Sequence, residues 1–229
     1  VRVRVDVTAD VSSLPWEQVH GPAQGVVYGL LGSQNAELAR RLHDFGWGES
    51  PLKPLGLTSP LFRGAPRRTG VYTTSEDGSL WFGSPVPEIA GALVAGLAAR
   101  DEIRWGGARL AVRGISVDVN RTDTTREVEL TTATPVLLKH DSRYLLPGDD
   151  HYEDRLLQNL FRKADLLGLP QPCGLRVVEA GPRRQFLVQK AFRIGAVVRV
   201  RMMADPRFVD AIRCWGLGLC TVQGFGWIK

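Results

Sequence analysis

Cysteine is scarce and unpatterned in this chain. Only Cys173, Cys214 and Cys220 occur among 229 residues, with no CxxC pair and no histidine at ligand spacing. That excludes a zinc module and a disulfide framework, and the three read as small core residues. Long apolar runs are also missing. The longest, residues 25–31 and 89–99, fall short of the roughly 20 residues a membrane span requires. The first seven residues alternate valine with Arg2, Arg4 and Asp6 instead of forming an apolar signal core. A cytoplasmic protein with no membrane partner is expected. No low-complexity tract is present, and 44% hydrophobic with 23% charged residues is the composition of a packed globular protein.

Charge of one sign is nearly absent as a surplus in the first half and concentrated in the second. The chain carries a net +5. Residues 1–124 hold 13 basic and 13 acidic side chains, whereas residues 125–229 hold 16 and 11. From Arg155 to Arg201 there are ten basic residues against two acidic ones, Asp165 and Glu179. A local surplus of that size is a candidate phosphate footprint, since neutralising phosphates releases condensed counterions; a solvated basic face is the alternative.

The apolar pattern places strands and helices in a repeated order. Residues 1–7 alternate with period 2, as a half-buried strand does. Residues 23–31 and 35–45 read as helical pieces, with Leu38 and Leu42 at i, i+4. The proline-punctuated residues 53–62 supply a short strand, residues 79–84 a strand, residues 87–99 a helix and residues 109–119 a closing strand. Periodicity lapses into a linker at residues 120–125. Beyond it come a β pattern over 126–139, a helix over 149–167 capped by Asp149 or Asp150, and a strand over 174–180. A strand-like stretch over 184–203 is broken at 193–195, and a helix over 205–215 is capped by Asp205 with Pro206 at its first position. A glycine-rich loop and a terminal strand finish the order. The fold class expected is α+β, with tandem ferredoxin-like (RRM-like) β-α-β-β-α-β domains over 1–119 and 125–229. Topology alone gives no activity.

The carboxyl-terminal residues 216–226 place Gly216, Gly218, Gly224 and Gly226 in a GhGxxxxxGhG frame, where h is apolar. Glycine serves where the chain takes positive φ or where backbone must approach another molecule, and a run of bare amides can line up on phosphate oxygens. A dinucleotide-binding loop would need GxGxxG directly after a first strand and before a helix; this frame follows a helix and ends the chain, so it is rejected.

The frame, its terminal position and the tandem order resemble the RAMP superfamily of CRISPR-associated RNA-binding proteins, and within it the sixth Cas family, whose members cut precursor CRISPR RNA inside each repeat. Residues 134–139 (Thr-Pro-Val-Leu-Leu-Lys) and the run from Tyr152 through Asn159 to Lys163 match further. The resemblance implies a histidine near the end of the first helical region, an upstream tyrosine and a nearby lysine as the catalytic set. His43, Tyr28 and Lys53 occupy those places, although the family's lysine often comes sooner after the histidine.

Metal-free cleavage of this kind turns the ribose 2′-hydroxyl on the adjacent phosphate, leaving a 2′,3′-cyclic phosphate and a 5′-hydroxyl. Histidine suits the proton transfer because its pKa near about 6.5 keeps both forms available. In the reading the resemblance implies, His43 moves the proton, Tyr28 orients or polarises the 2′-hydroxyl, and Lys53 stabilises the phosphorane. Neither a metal nor another cofactor is expected. From the residues alone, His43 is equally a helix-end surface group, Tyr28 a core tyrosine and Lys53 a structural lysine or plain phosphate contact; His20, His140 and His151 are competing histidines. The candidate RNA-binding residues are Lys139, Arg155, Arg162, Lys163, Arg183, Arg184, Lys190, Arg193, Arg199 and Arg201, together with the four frame glycines. Arg199 and Arg201 should share one sheet face, and Arg162 with Lys163 should probe an RNA backbone, since A-form RNA is read by shape and phosphates. The expected partner is CRISPR repeat RNA, as precursor and as mature crRNA; other Cas proteins of an interference complex and a homodimer are further candidates. Two alternatives remain: a catalytically silent RAMP subunit that binds CRISPR RNA, and an unrelated ferredoxin-like RNA binder, for which the aromatic RNP1 strand is missing.

Overall fold

The computed structural model describes residues 1–118 and 126–229. The expected linker, and with it the boundary between the two expected domains, lies outside the described residues.

The first lobe is built on β1 (Arg2–Ala9), which lies antiparallel between two later strands. Val3, Val5 and Val7 point inward and are essentially inaccessible, as the period-2 pattern requires. After β1 come β2 (Ser13–Leu14), α1 (Trp16–His20), α2 (Ala23–Gly32) and α3 (Ala36–Asp44). The last is capped by the Asn35 side chain, which accepts from the Leu38 N–H. Short strands β3 (Gly56–Leu57), β4 (Leu61–Phe62) and β5 (Tyr72–Thr73) lead to β6 (Gly78–Gly83), α4 (Pro87–Ala98) and the hairpin β7 (Glu102–Trp105) and β8 (Ala108–Asp118). The sheet order is β3-β6-β1-β8-β7, with β4 also on β6. With β1, β3, β6 and β8 as the four framework strands, this is the ferredoxin-like order.

The second lobe repeats it. Strand β9 (Glu127–Thr131) is followed by the hairpin β10 (Leu138–His140) and β11 (Arg143–Leu145), α5 (Tyr152–Leu167), β12 (Cys173–Ala180), the hairpin β13 (Arg184–Val188) and β14 (Ala191–Gly195), β15 (Val198–Met203) and α6 (Pro206–Trp215). The sheet runs β12-β15-β9. The fourth position, beside β9, is taken by the last residues of the chain. Ala133 N–H donates to Trp227 O at 2.7 Å, Lys229 N–H to Thr131 O at 2.8 Å, and Thr132 bridges Ile228. The expected terminal strand is thus reduced to a single bridge, because Gly224 and Gly226 take φ of +87° and +70° and break the extended run.

Two further expectations need correction. The stretch over 184–203 breaks at Gln189-Lys190, both at positive φ, and again after Gly195, not at 193–195. Gly195 stays inside β14 because a Cβ there would run into the Val136 carbonyl of the neighbouring backbone. Helix α5 starts at Tyr152 from a left-handed His151, with no side-chain cap; the Asp149 carboxylate accepts from Leu146 N–H instead. The cap of α6 is as expected, Asp205 accepting from Arg207 N–H at 2.9 Å.

Each lobe has its own apolar core, and the lobes meet on the carboxyl-terminal loop. Arg2, only 7% exposed, leaves the outer face of β1 and inserts between Trp81 and Trp227, with its guanidinium 5.0 and 4.8 Å from the ring centres. It also donates to Ile228 O at 3.2 Å and pairs with Asp118 at 3.3 Å. Thr221 Oγ1 donates to Leu55 O at 2.8 Å. Gly56 and Gly83 let β3 and β6 press against the Trp215 and Cys214 carbonyls, where a Cβ would sit 2.5 and 2.6 Å away.

Candidate active site

Helix α2 presents Tyr28, the end of α3 presents His43, and the loop after it returns Lys53 to the same spot. The His43 and Tyr28 rings meet edge to face with centroids 4.9 Å apart. Lys53 Nζ lies 5.7 Å from the Tyr28 ring centre and donates to the His43 carbonyl at 2.5 Å. That carbonyl is one of those a helix end leaves without an internal partner. The three residues paired only by order in the chain therefore converge in space.

Their exposure differs. The His43 side chain is about half exposed, and its Nδ1 lies 2.9 Å from Asp44 Oδ1. With a carboxylate there, Nδ1 carries the proton and donates, which leaves Nε2 as the open basic nitrogen of the neutral ring. The Tyr28 hydroxyl is buried without a protein partner. Burial, with the Asp44 charge adding to it, pushes its pKa well above the usual phenol range. Burial draws the Lys53 ammonium down, against the pull of Asp44.

The competing histidines are elsewhere. His20, 3% exposed, stacks on Phe225 with centroids 4.2 Å apart and donates from Nδ1 to Gln223 O at 2.9 Å. Burial lowers its pKa from 6.5 to about 4. It is a structural residue of the lobe joint. His140 accepts from Arg155 at 2.6 Å and faces His151 at 5.9 Å, both in the second lobe.

The candidate RNA-binding residues divide into open cations, paired cations and buried groups. Lys139, Arg162, Arg183, Arg184 and Lys190 are exposed. Arg183, Arg184, Lys190 and Arg193 cluster on or beside the β13–β14 hairpin, where Arg193 bonds Gln223 at 3.2 Å. Arg199 and Arg201 do project from one face of β15, with Val198, Val200 and Met202 buried behind them. On that face, however, Arg199 pairs with Glu129 and Glu179, and Arg201 with Glu129. Their charge is largely answered within the sheet.

Lys163 and the frame glycines are buried, against the expectation of surface display. Lys163 is 1% exposed, donates to Gly216 O at 2.7 Å and lies 4.7 Å from the Trp215 ring centre, so it is no surface probe. All four frame glycines are buried, and the backbone they approach is the protein's own. A Cβ on Gly218 would stand 2.6 Å from Leu137 O, one on Gly224 2.9 Å from Ser59 N, and one on Gly226 would overlap Leu217 O. The N–H groups of Gly216, Gly224 and Gly226 donate to Ile212, Thr221 and Pro135 carbonyls. Those amides are spent in the joint and are not displayed to phosphate.

Sequence reasoning missed Asn159. It is 8% exposed, one helical turn before Lys163, and its Oδ1 is buried with no protein partner. The available signal was position, since 159 and 163 fall within the stripe marked by Leu156, Leu160, Ala164 and Leu167.

The curated proteins offer no match to this sequence. Residues 118–229 match the family described as CRISPR associated protein Cas6, C-terminal. Among solved structures, that of a Cas6-related gene from Pyrococcus furiosus superposes with a TM-score of 0.82 at 19% identity, covering 100% of this chain and 97% of that one. A RAMP protein described as binding different RNA substrates gives 0.81 at 20% identity, covering 100% and 98%. A Cas6 product complex gives 0.65 at 18% identity, covering 99% and 97%. At such identities these likenesses establish the fold, which is tandem ferredoxin-like. Residues 118–229 are thus similar to the carboxyl-terminal domain of Cas6, on a chain that has the fold of Cas6 and RAMP proteins from end to end.

Proposed function

We propose that this protein is an endoribonuclease that cleaves precursor CRISPR RNA within its repeats, by attack of a ribose 2′-hydroxyl on the adjacent phosphate and without a metal. The observation that carries the reading is the convergence of His43, Tyr28 and Lys53 at the surface of the first lobe. The match of residues 118–229 to the Cas6 carboxyl-terminal family and the relatives described with RNA substrates or products support the substrate class.

His43 Nε2 takes the proton from the 2′-hydroxyl, with Asp44 holding the ring by its Nδ1–H and stabilising the imidazolium that forms. The 2′-oxygen then bonds to phosphorus, the bond to the 5′-oxygen breaks, and a proton returned to that oxygen completes a 5′-hydroxyl and a 2′,3′-cyclic phosphate. Lys53, held beside the ring by the His43 carbonyl, supplies positive charge for the phosphorane. Tyr28 acts as a positioning residue: its ring supports the imidazole edge, and its hydroxyl is turned away from solvent. The exposed cations Lys139, Arg162, Arg183, Arg184 and Lys190 hold the RNA backbone, with Arg155 and Arg193 beside them.

The test is incubation with short repeat RNAs in EDTA, followed by analysis of the end groups. Cleavage to cyclic phosphate and 5′-hydroxyl ends is expected. The His43→Ala protein should bind the repeat normally and lose roughly 10²-fold or more in rate, the scale of a general acid–base contribution. Binding without cleavage by the unaltered protein would favour the silent RAMP subunit. Cleavage at an undiminished rate by His43→Ala would remove the mechanism.

A further inference from the structure

A cavity of about 150 Å³ lies between the lobes, lined by Pro51, Leu52 and Lys53 from the first and by Asn159, Lys163, Trp215 and residues 218–222 from the second. Lys53 belongs both to its wall and to the cluster around His43. We propose that this cavity is a subsite for one non-scissile phosphate of the bound RNA, with Lys163 supplying the charge and Asn159 a polar contact. The inference rests on the cleavage reading and deepens it by giving the RNA backbone a second fixed point beside the cut.

Charge is the first argument. Lys163 is a buried ammonium whose bonded partner is a neutral carbonyl, Gly216 O, and whose near neighbour is the face of Trp215. No carboxylate among the described residues acts on it; burial alone lowers its pKa from 10.5 to about 7. A buried cation is costly without an anion, and a phosphate arriving from solvent supplies one. Asn159 is the second argument. It is one turn away at i, i+4, on the same face of α5, and lines the same space; its buried Oδ1 has no protein partner but is an acceptor, so the contact to phosphate falls to the Nδ2 amide hydrogens. Size is the third. At a share of about 30 Å³ per water, the cavity has room for roughly five waters. That suits a phosphate group and falls below the roughly 300 Å³ at which pockets for drug-sized ligands begin.

The test uses the full chain and a repeat RNA carrying a 2′-deoxy sugar at the cut, so that binding is read without cleavage. Single neutral methylphosphonates are scanned through the flanking linkages. One non-scissile position should weaken binding to the wild type by roughly tenfold, the scale of a charge-assisted contact, and should have no effect on Lys163→Met. Asn159→Asp guards against a folding artefact. It sets a carboxylate at i, i+4 from the lysine, so it should keep or raise the melting temperature while weakening RNA binding by tenfold or more. A folded Asn159→Asp protein with wild-type affinity would overturn the subsite, as would a scan with no position coupled to Lys163. In either case, cleavage of the unmodified repeat by the wild type leaves the enzyme reading standing. Failure of the wild type to bind any repeat RNA overturns both.

Discussion

At the scale of single residues, the contrast between Tyr28 and its hydroxyl is the sharpest handle on the chemistry. The ring touches the His43 imidazole, while the hydroxyl is buried and bonded to nothing in the protein. Tyr28→Phe should therefore leave the cleavage rate within about twofold and be neutral or mildly stabilising, because an unsatisfied buried hydroxyl costs roughly 1–3 kcal/mol. Tyr28→Ala should lower the rate while leaving repeat-RNA affinity unchanged, since the imidazole loses its support. Single-turnover kinetics on the two variants decide the matter; a large rate loss in Tyr28→Phe would return the hydroxyl to the reacting 2′-oxygen. Asp44→Asn is a companion test. The charge that stabilises a protonated His43 disappears, and because Asp44 is exposed and solvent-screened the loss should be about tenfold, read as a fall in rate without a change in binding. The trio was legible from residue types and order together with a family resemblance. Lys163 was misread because a basic residue was credited to the surface although its spacing from Leu156 and Leu160 put it on the buried stripe.

At the scale of elements, most strands and helices could be read from periodicity, and two of the failures share one physical cause: local rules assign glycine to turns, whereas this fold uses several of its glycines for close approach between backbones. Local rules read Gly195 as a break, yet it stays in β14, where the Val136 carbonyl passes close to it. The true turn, Gln189-Lys190, carries no glycine and adopts φ of +51° and +64° with ordinary side chains. The frame glycines follow the same logic. Their spacing was visible, but whether they faced RNA or protein was not, because that depends on where the segments around Thr58-Ser59 and Val136-Leu137 lie. A pair of substitutions separates conformation from contact. Gly48 has φ of +60° with nothing within 4 Å of an added Cβ, so Gly48→Ala should cost about 1 kcal/mol from backbone strain alone. Gly226 has φ of +70° and would drive its Cβ into the Leu217 carbonyl. Gly226→Ala should cost at least about 3 kcal/mol, in the range of severe overpacking combined with strain. Denaturant melts of both variants measure the difference; equal losses would mean that φ alone fixes the motif.

At the scale of the whole molecule, the two lobes are joined by polar groups that each lobe's sequence gave no reason to bury. Arg2 belongs by register to the solvent face of β1 and His20 to the end of a five-residue helix. The packing of the second lobe completes their cover, one between Trp81 of the first lobe and Trp227, the other against Phe225 and Phe186. The His20 joint makes folding stability depend on pH in a defined direction. Its pKa is near 6.5 in the unfolded chain and about 4 when folded. Between those values the unfolded state binds a proton that the folded state refuses, so stability is full above about pH 6.5 and falls as pH drops toward 4. The full separation of about 2.5 units corresponds to roughly 3 kcal/mol. Thermal melts at constant ionic strength should show the melting temperature declining across that window. In His20→Phe, which keeps the stack on Phe225 and has no proton to gain, the His20 share of the decline should vanish while the loss of the bond to Gln223 O lowers stability at pH 7. Because the same joint carries Gln223, and through it Arg193, the wild-type protein should also lose repeat-RNA affinity at pH 5 beyond what His20→Phe loses. Identical pH profiles for the two proteins would show that the lobes are held by Arg2 and the glycine contacts, with His20 a passive filler.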